Sequence, residues 1–195
     1  MNIISTLILV ILFTLSFGCG KKTQEEGKPP KEVPSLTQGS HKTPNAAAGV
    51  QWTVPQRWQL LPAQQMRIAT YGVPAAQGDA EDAECAVFYF GADQGGDVKS
   101  NIERWISQFE NPSVSAQMSA VVNEIKMTTI GVTGSYLATG GPMMQTQGKK
   151  EDYKLSGAII EAPEGSIFFK LTGPAKTVDA GKEEFNELLQ SIQKK

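Results

Sequence analysis

The sequence predicts an α+β fold in which an antiparallel sheet of about six or seven strands is flanked by two main helices. Between residues 50 and 195, short segments rich in aromatic and β-branched residues alternate with Gly- and Pro-containing turns. Two segments carry apolar residues at helical spacing instead. The helices do not alternate regularly with the strands, so an antiparallel sheet fits better than a doubly wound one. The folded domain is predicted to span residues 50–195.

Three strands are predicted before the first helix. Residues 51–54 alternate in polarity and end at Pro55, and residues 66–73 alternate in the same way. Residues 85–90, which read CAVFYF, combine aromatic and β-branched types that are typical of strands.

The first helix is predicted over residues 98–109. Its apolar residues fall on one helical face: Val98, Ile102, Trp105, Ile106 and Phe109. Asp97 is the candidate N-cap, and Asn111-Pro112 is the candidate end of the helix.

A strand pair is predicted after this helix, over residues 124–131 and 133–139, with a turn near Gly131 to Gly134. Residues 143–152 are polar and are predicted to form a loop.

A second strand pair and a terminal helix complete the domain. Residues 153–161 and 166–172 flank Ala162-Pro163-Glu164-Gly165, which has the composition of a hairpin turn. The last helix carries Phe185, Leu188, Leu189 and Ile192 on one face. Asp179 is its candidate cap, and Glu183 and Glu184 lie near its positive end.

The start of the domain is a Trp-x-Val-Pro-x-x-Trp segment formed by Trp52, Val54, Pro55 and Trp58. With the element order above, residues 50–193 resemble the PsbP/Mog1-like group of α+β folds, to which the PsbP protein of photosystem II belongs. The resemblance implies this fold, and many bacterial members of the group are small extracytoplasmic proteins. No functional residue of the group has a counterpart here, so none is transferred.

The N-terminus carries a targeting signal. Residues 3–17 are uncharged and mostly apolar, a length that matches the apolar core of a secretory signal and falls short of the ~20 residues of a membrane span. Leu15-Ser16-Phe17-Gly18-Cys19 resembles the lipobox of bacterial lipoproteins. Residues 1–18 are therefore predicted to be a lipoprotein signal peptide.

The lipobox resemblance implies a covalent membrane anchor. In that class the cysteine, here Cys19, receives a diacylglycerol, the peptidase cuts between the small residue and the cysteine (here Gly18 and Cys19), and the new amino group is acylated, commonly with palmitate. Gly20 is not the Asp that commonly retains lipoproteins at the inner membrane, which favours the outer membrane over the inner one. An uncleaved anchor and an ordinary cleaved signal are the alternatives.

The predicted tether spans residues 19–49. It holds four prolines, five lysines, two glutamines and almost no large apolar side chains, a composition typical of a disordered spacer. His41, the single histidine, lies here and is a poor candidate for a catalytic or metal-binding residue.

Composition excludes several classes of function. The net charge is −2, which argues against a nucleic-acid binder. Two cysteines cannot build a disulfide framework. Because the predicted domain has no histidine, only a Ser–Lys pair could supply a nucleophile and its base. The formal candidates are Ser100, Ser156 and Ser166 with Lys99, Lys154 and Lys170, but no motif frames them.

Other groups are weighed against simpler structural roles. Cys85 on an apolar strand is predicted to be buried and unreactive. The acidic segment 79–84 could gather oxygens for Ca²⁺, although a solvated loop is favoured, and residues 91–97 are favoured as a strand-to-helix turn. The three arginines, Arg57, Arg67 and Arg104, could hold a carboxylate if they converged. The three tryptophans, Trp52, Trp58 and Trp105, are predicted to pack in the core.

The sequence therefore predicts a non-enzymatic lipoprotein with no cofactor and no resident metal. Its lipid anchor would hold it at the membrane of a bacterial cell envelope, facing the periplasm or the outside. The folded part would bind a protein partner or another envelope component. The alternative is an envelope protein that binds a small ligand or a metal ion.

Overall fold

The computed structural model describes residues 44–139 and 146–195. In this part of the chain the strands are β1 (Ala46–Ala47), β2 (Val50–Gln51), β3 (Gln59–Leu60), β4 (Ala69–Val73), β5 (Ala83–Tyr89), β6 (Phe109–Val114), β7 (Met118–Val122), β8 (Ile125–Thr139), β9 (Thr146–Ala162), β10 (Gly165–Pro174) and β11 (Gln193–Lys194). The helices are α1 (Val98–Ile106), α2 (Ala175–Ala180) and α3 (Lys182–Gln190). The predicted signal peptide, Gly18, Cys19, His41 and the tether up to residue 43 lie outside the described residues.

Two antiparallel sheets organise the fold and confirm the predicted α+β class. The large sheet has eight strands in the order β3-β4-β5-β10-β9-β8-β6, and β7 pairs with another stretch of β8. The small sheet has the order β1-β2-β11. Every strand pair in the described residues is antiparallel.

The large sheet has a core on each face. In β10, Ile167, Phe169 and Leu171 pack with α2, α3 and the small sheet, whereas Phe168 points to the opposite side and packs with α1. This alternation follows from the two-residue period of a strand. Alternate side chains of β10 therefore pack into two separate hydrophobic cores.

The first helix begins as predicted but ends earlier. The Asp97 carboxylate accepts hydrogen bonds from Ser100 N and Ser100 Oγ, both at 2.8 Å, which confirms the N-cap. The helix ends at Ile106, so the prediction that Asn111-Pro112 ends it is wrong. Both residues lie in β6 where its register against β8 shifts, and Asn111 has a φ of 49°. Pro112 fits there because it has no N–H to donate to the ladder.

The predicted turn at Gly131 to Gly134 is also wrong, because both glycines lie inside the single strand β8. A side chain at Gly134 would lie 3.0 Å from the carbonyl oxygen of Glu110 on β6. Gly131 N donates to Ser115 Oγ at 2.8 Å. These glycines allow a neighbouring segment to approach closely and do not reverse the chain.

The predicted polar loop 143–152 is in large part strand, since β9 already begins at Thr146. Lys150 pairs in register with Tyr136 of β8, and Lys149 pairs with Leu137. Strands β6 and β7 were not predicted. The turn at 162–165 is confirmed, with Ala162 and Gly165 as register partners.

The C-terminal segment forms two short helices where one was predicted. Asp179 does not cap α3, because it lies in α2 and pairs with Lys154. Gly181 separates the helices, and its N–H donates to Thr177 O at 3.0 Å. Glu183 and Glu184 lie in the first turn of α3, as predicted.

Residues 44–49, which the sequence places in the tether, belong to the folded structure. Ala46–Ala47 forms β1, Ala48 is buried, and the Tyr71 hydroxyl donates to Pro44 O at 2.5 Å. Small alanine side chains give no hydrophobic pattern, although they pack well against a sheet edge.

Candidate functional site

A pocket of about 290 Å³ opens on the face of the large sheet that α1 covers, and we call it the sheet-face pocket. Part of its wall comes from β5 and β10. Lys170 and Thr172 alternate along β10 with Phe169 and Leu171, which are fully buried in the opposite core. Glu84 of β5 faces the pocket by the same alternation. The strand period thus places polar groups beside an apolar core.

Two tyrosines from β8 and β9 form another part of the wall. The rings of Tyr136 and Tyr153 stack, with centroids 5.8 Å apart and planes 8° apart. Burial raises the pKa of both hydroxyls above the ordinary value of tyrosine, and for Tyr153 the hydrogen bond to Glu81 adds to this effect. Both side chains therefore stay neutral at physiological pH.

Each of the three cations in the pocket lies over an aromatic ring. The Arg67 guanidinium is 5.6 Å from the centre of the Phe88 ring. Lys150 Nζ is 5.2 Å from the Tyr153 ring, and Lys170 Nζ is 5.3 Å from the Tyr136 ring. The negative face of an aromatic ring attracts a cation at such distances, so these contacts help to fix the positions of the charges.

Two of the cations also pair with carboxylates. Arg67 donates to Glu84. Lys150 Nζ donates to Glu81 Oε2 at 2.5 Å, and the Tyr153 hydroxyl donates to the same oxygen at 2.5 Å. The hydrogen bonds from Lys150 and Tyr153 lower the pKa of Glu81, and the hydrogen bond to Glu81 raises the pKa of Lys150. The Lys150–Glu81 pair therefore stays charged near neutral pH.

Lys170 differs from the other two cations. Its Nζ donates to Gln108 Oε1 at 2.5 Å and to the Tyr136 hydroxyl at 3.3 Å, both of which are neutral groups. In the described part of the chain it forms no ion pair with a carboxylate. Burial, helped by the charge of Arg67, lowers the pKa of Lys170 to about 8. Among the residues that the structure describes, one positive charge of the pocket therefore has no direct counter-charge.

The Thr172 hydroxyl lines the same pocket. Its oxygen is buried and has no hydrogen-bond partner within the residues that the structure describes. A buried hydroxyl without a partner is unusual in folded proteins, because its desolvation is not compensated.

The three arginines, which could have held a carboxylate together, do not converge in the described structure. Arg57 pairs with Glu184 of α3, and Arg104 donates to Asn101 Oδ1 at 2.9 Å on α1. Although burial opposes it, the hydrogen bonds from Arg57 and Trp58 lower the pKa of Glu184. Arg67 alone of the three lines the sheet-face pocket.

The acidic segment 79–84 divides among separate partners. Asp79 accepts from Thr177 N and Thr177 Oγ1, and Asp82 accepts from Ala75 N at 2.8 Å. Glu81 and Glu84 bind the cations described above. Over residues 44–139 and 146–195, no group of three or more His, Cys, Asp or Glu side chains is placed to hold a metal ion.

Cys85 and the three tryptophans have structural roles. Cys85 is fully buried, and burial raises the pKa of its thiol, as expected for an unreactive core residue. All three tryptophans are buried in the two cores. The lysines of the formal Ser–Lys pairs contact other groups: Lys99 contacts Glu103, Lys154 contacts Asp179, and Lys170 contacts Gln108.

Six residues of this site were not predicted from the sequence: Phe88, Gln108, Tyr136, Lys150, Tyr153 and Thr172. Lys150 was placed in a loop, and Gln108 was placed inside a helix. The register of β8 against β9 and the early end of α1 bring them together. Arg67, Lys170 and the acidic segment were considered, but for other roles.

No family model matches the sequence, and no curated protein matches it. A solved structure of a protein of unknown function from Pseudomonas aeruginosa is similar, with 12% identity and a TM-score of 0.43 over 69% of this chain and 94% of that one. The cyanobacterial PsbP (CyanoP) from Synechocystis sp. PCC 6803 is similar with 11% identity and a TM-score of 0.47, over 77% of this chain and 95% of that one.

Proposed function

We propose that this chain is a membrane-tethered, extracytoplasmic lipoprotein of a bacterial envelope, and that its folded part is a non-enzymatic binding module. The lipobox-like segment that ends at Cys19 supports the tether. Two or three acyl chains hold a protein stably at a bilayer without help from the fold. No helix in the described residues is long and apolar enough to cross a membrane.

The sheet-face pocket carries the binding part of the proposal. Its charged groups are held by ion pairs and aromatic rings before any ligand arrives, which lowers the entropy cost of binding. Within the described residues, the Lys170 ammonium group has only neutral hydrogen-bond partners, and the Thr172 hydroxyl has no partner. A concave site with a few convergent polar groups is typical of small-molecule recognition.

These features favour a small ligand over the alternative of a metal ion. A metal would need several free oxygen ligands, whereas the carboxylates of segment 79–84 already bind Arg67, Lys150, Thr177 and Ala75 N. The pocket instead offers aromatic surface and the Lys170 ammonium group, which has no carboxylate partner over residues 44–139 and 146–195. We therefore favour an organic molecule that carries negative charge.

The tether is tested by intact mass and membrane fractionation of the expressed chain, with Cys19→Ala compared with wild type. We expect a wild-type product that begins at Cys19, carries added acyl mass and sediments with membranes. The Cys19→Ala chain should lack this mass and keep its signal segment. Cys85→Ala is the matched control and should behave like wild type, because Cys85 is buried in the fold. An unmodified wild-type product whose fractionation Cys19→Ala does not change would refute the tether.

A further inference from the structure

We infer that the sheet-face pocket binds a small organic molecule through a carboxylate group, which supplies the counter-charge that Lys170 lacks. The inference rests on the proposed function, since it names the ligand class of the same binding module.

The arrangement of charge selects an anion at one point. Arg67 and Lys150 already have carboxylate partners in Glu84 and Glu81. The two neutral oxygen atoms that Lys170 contacts leave its charge uncompensated. A partly buried ammonium group gains most from a partner of opposite charge, because the surrounding dielectric is low. A neutral or cationic ligand would not compensate the positive charge of Lys170.

Size and surface indicate the remainder of the ligand. A cavity of about 150 Å³ is enough to hold benzene, so the 290 Å³ pocket can hold a ring or a short chain together with a carboxylate. The stacked rings of Tyr136 and Tyr153, with Phe88 nearby, offer aromatic surface for such a group. An inorganic anion would leave this surface uncovered.

The Thr172 hydroxyl gives an independent indication. It lies two residues from Lys170, on the same side of β10, and its buried oxygen has no hydrogen-bond partner in the described residues. A hydroxyl can donate to a carboxylate oxygen, and such a charge-assisted bond is stronger than a neutral one. Lys170 and Thr172 could then each hold one oxygen of the same carboxylate.

The charged groups around Lys170 determine how binding should depend on pH. Arg67 lines the pocket in an ion pair with Glu84, and the raised pKa of Lys150 and the lowered pKa of Glu81 keep the Lys150–Glu81 pair charged. The pKa values of the Tyr136 and Tyr153 hydroxyls are raised, so these groups stay neutral. Glu84 and Asp82 complete the charged lining. Between pH 7 and pH 9.5, Lys170 is therefore the group that loses its charge, and carboxylate binding should weaken.

The test uses the full chain in detergent and ligand-observed NMR titrations at pH 7. The probes are benzoate, its neutral isostere benzamide and inorganic phosphate. We expect benzoate to bind with a dissociation constant of about 1 mM or below, benzamide to bind at least about tenfold more weakly, and phosphate not to displace benzoate. Benzoate affinity should fall about tenfold between pH 7 and pH 9.5.

Variants locate the binding. Lys170→Met should weaken benzoate about tenfold or more, and Thr172→Val, which keeps the shape of the side chain, should weaken it severalfold. Lys126→Met is the matched control, because Lys126 lies on β8 in an exposed pair with Glu161, outside the pocket. Melting curves of each variant show that it is folded. If Lys170→Met does not fold, Thr172→Val and the pH series decide.

The inference would be overturned by equal binding of benzoate and benzamide, by benzoate affinity unchanged in Lys170→Met, or by phosphate that competes as well as benzoate. If benzoate and benzamide bind equally and both lose affinity in the pocket variants, the pocket is still a binding site, and only the assignment of a carboxylate ligand is wrong. If none of the probes binds at about 10 mM, the carboxylate assignment is wrong. Failure of membrane tethering would be seen separately, in the Cys19→Ala fractionation.

Discussion

The properties of Lys170 depend on residues that the fold brings next to it. In the sequence it is one polar position between apolar neighbours of β10, and the strand pattern there was predicted correctly. Its partners Gln108 and Tyr136 lie 62 and 34 positions away in the chain. No local pattern shows this convergence, because it depends on strand order. The sequence shows that residue 170 is a lysine, but it does not show that no carboxylate of the described residues pairs with it.

Lys170→Met should change how the free energy of unfolding depends on pH. A lysine in an unfolded chain has a pKa near 10.4, whereas in the folded protein the pKa of Lys170 is about 8. Unfolding therefore takes up a proton between about pH 8 and pH 10, and wild-type stability rises with pH in that window. We expect Lys170→Met to be more stable than wild type by about 1 to 2 kcal/mol at pH 7.

Urea unfolding of both chains at pH 7, 8.5 and 10 checks this prediction. The difference in free energy of unfolding should shrink toward pH 10, as wild-type Lys170 loses its charge. Because the tyrosine hydroxyls of the pocket are common to both chains, their titration cancels in the comparison. A difference that stays constant from pH 7 to pH 10 would contradict the lowered pKa.

At the scale of elements, amphipathic or apolar segments were predictable and edge strands were not. β5 and β10 carry aromatic and β-branched runs, and both were predicted close to their observed bounds. β6 and β7 are exposed at nearly every position, so burial imposes no alternating pattern on them. The two glycines of β8 were wrongly predicted to form a turn. Gly131 and Gly134 instead allow neighbouring segments to approach closely, and the strand continues through them.

The packing of α1 on the sheet depends on a glycine. A Cβ atom at Gly157 would lie 2.3 Å and 2.5 Å from two carbon atoms of the Trp105 ring. Overpacking of this kind forces side chains or backbone to shift. We expect Gly157→Ala to lower the free energy of unfolding by about 1 to 3 kcal/mol, measured by urea unfolding.

A double-mutant cycle with Trp105→Leu provides the control. If the Trp105 ring causes the loss, Gly157→Ala should cost much less in the Trp105→Leu background, since the smaller side chain leaves room. If Gly157→Ala lowers the free energy of unfolding equally in both backgrounds, contact with the Trp105 ring of α1 is not the reason for the loss.

At the scale of the whole molecule, the α+β class and the antiparallel sheet followed from the sequence, while the functional site did not. The pocket needs side chains from β5, β8, β9 and β10 and from the segments before β4 and β5, and the order of these strands in the sheet differs from their order in the chain. The lipid anchor is the opposite case. It depends on a short contiguous signal around Cys19, so sequence alone predicts it, and it stays a prediction.

The central claim is that the pocket holds a positive charge that a ligand carboxylate completes. The most direct measurement is the NMR titration of the Lys170 ammonium group in the full chain, with labelled lysine and with Lys170→Met for assignment. We predict a pKa of about 8 without ligand, and a higher value in saturating benzoate, because a bound carboxylate stabilises the charged form. A pKa near 10.4 that benzoate does not change would rule out a bound carboxylate beside Lys170.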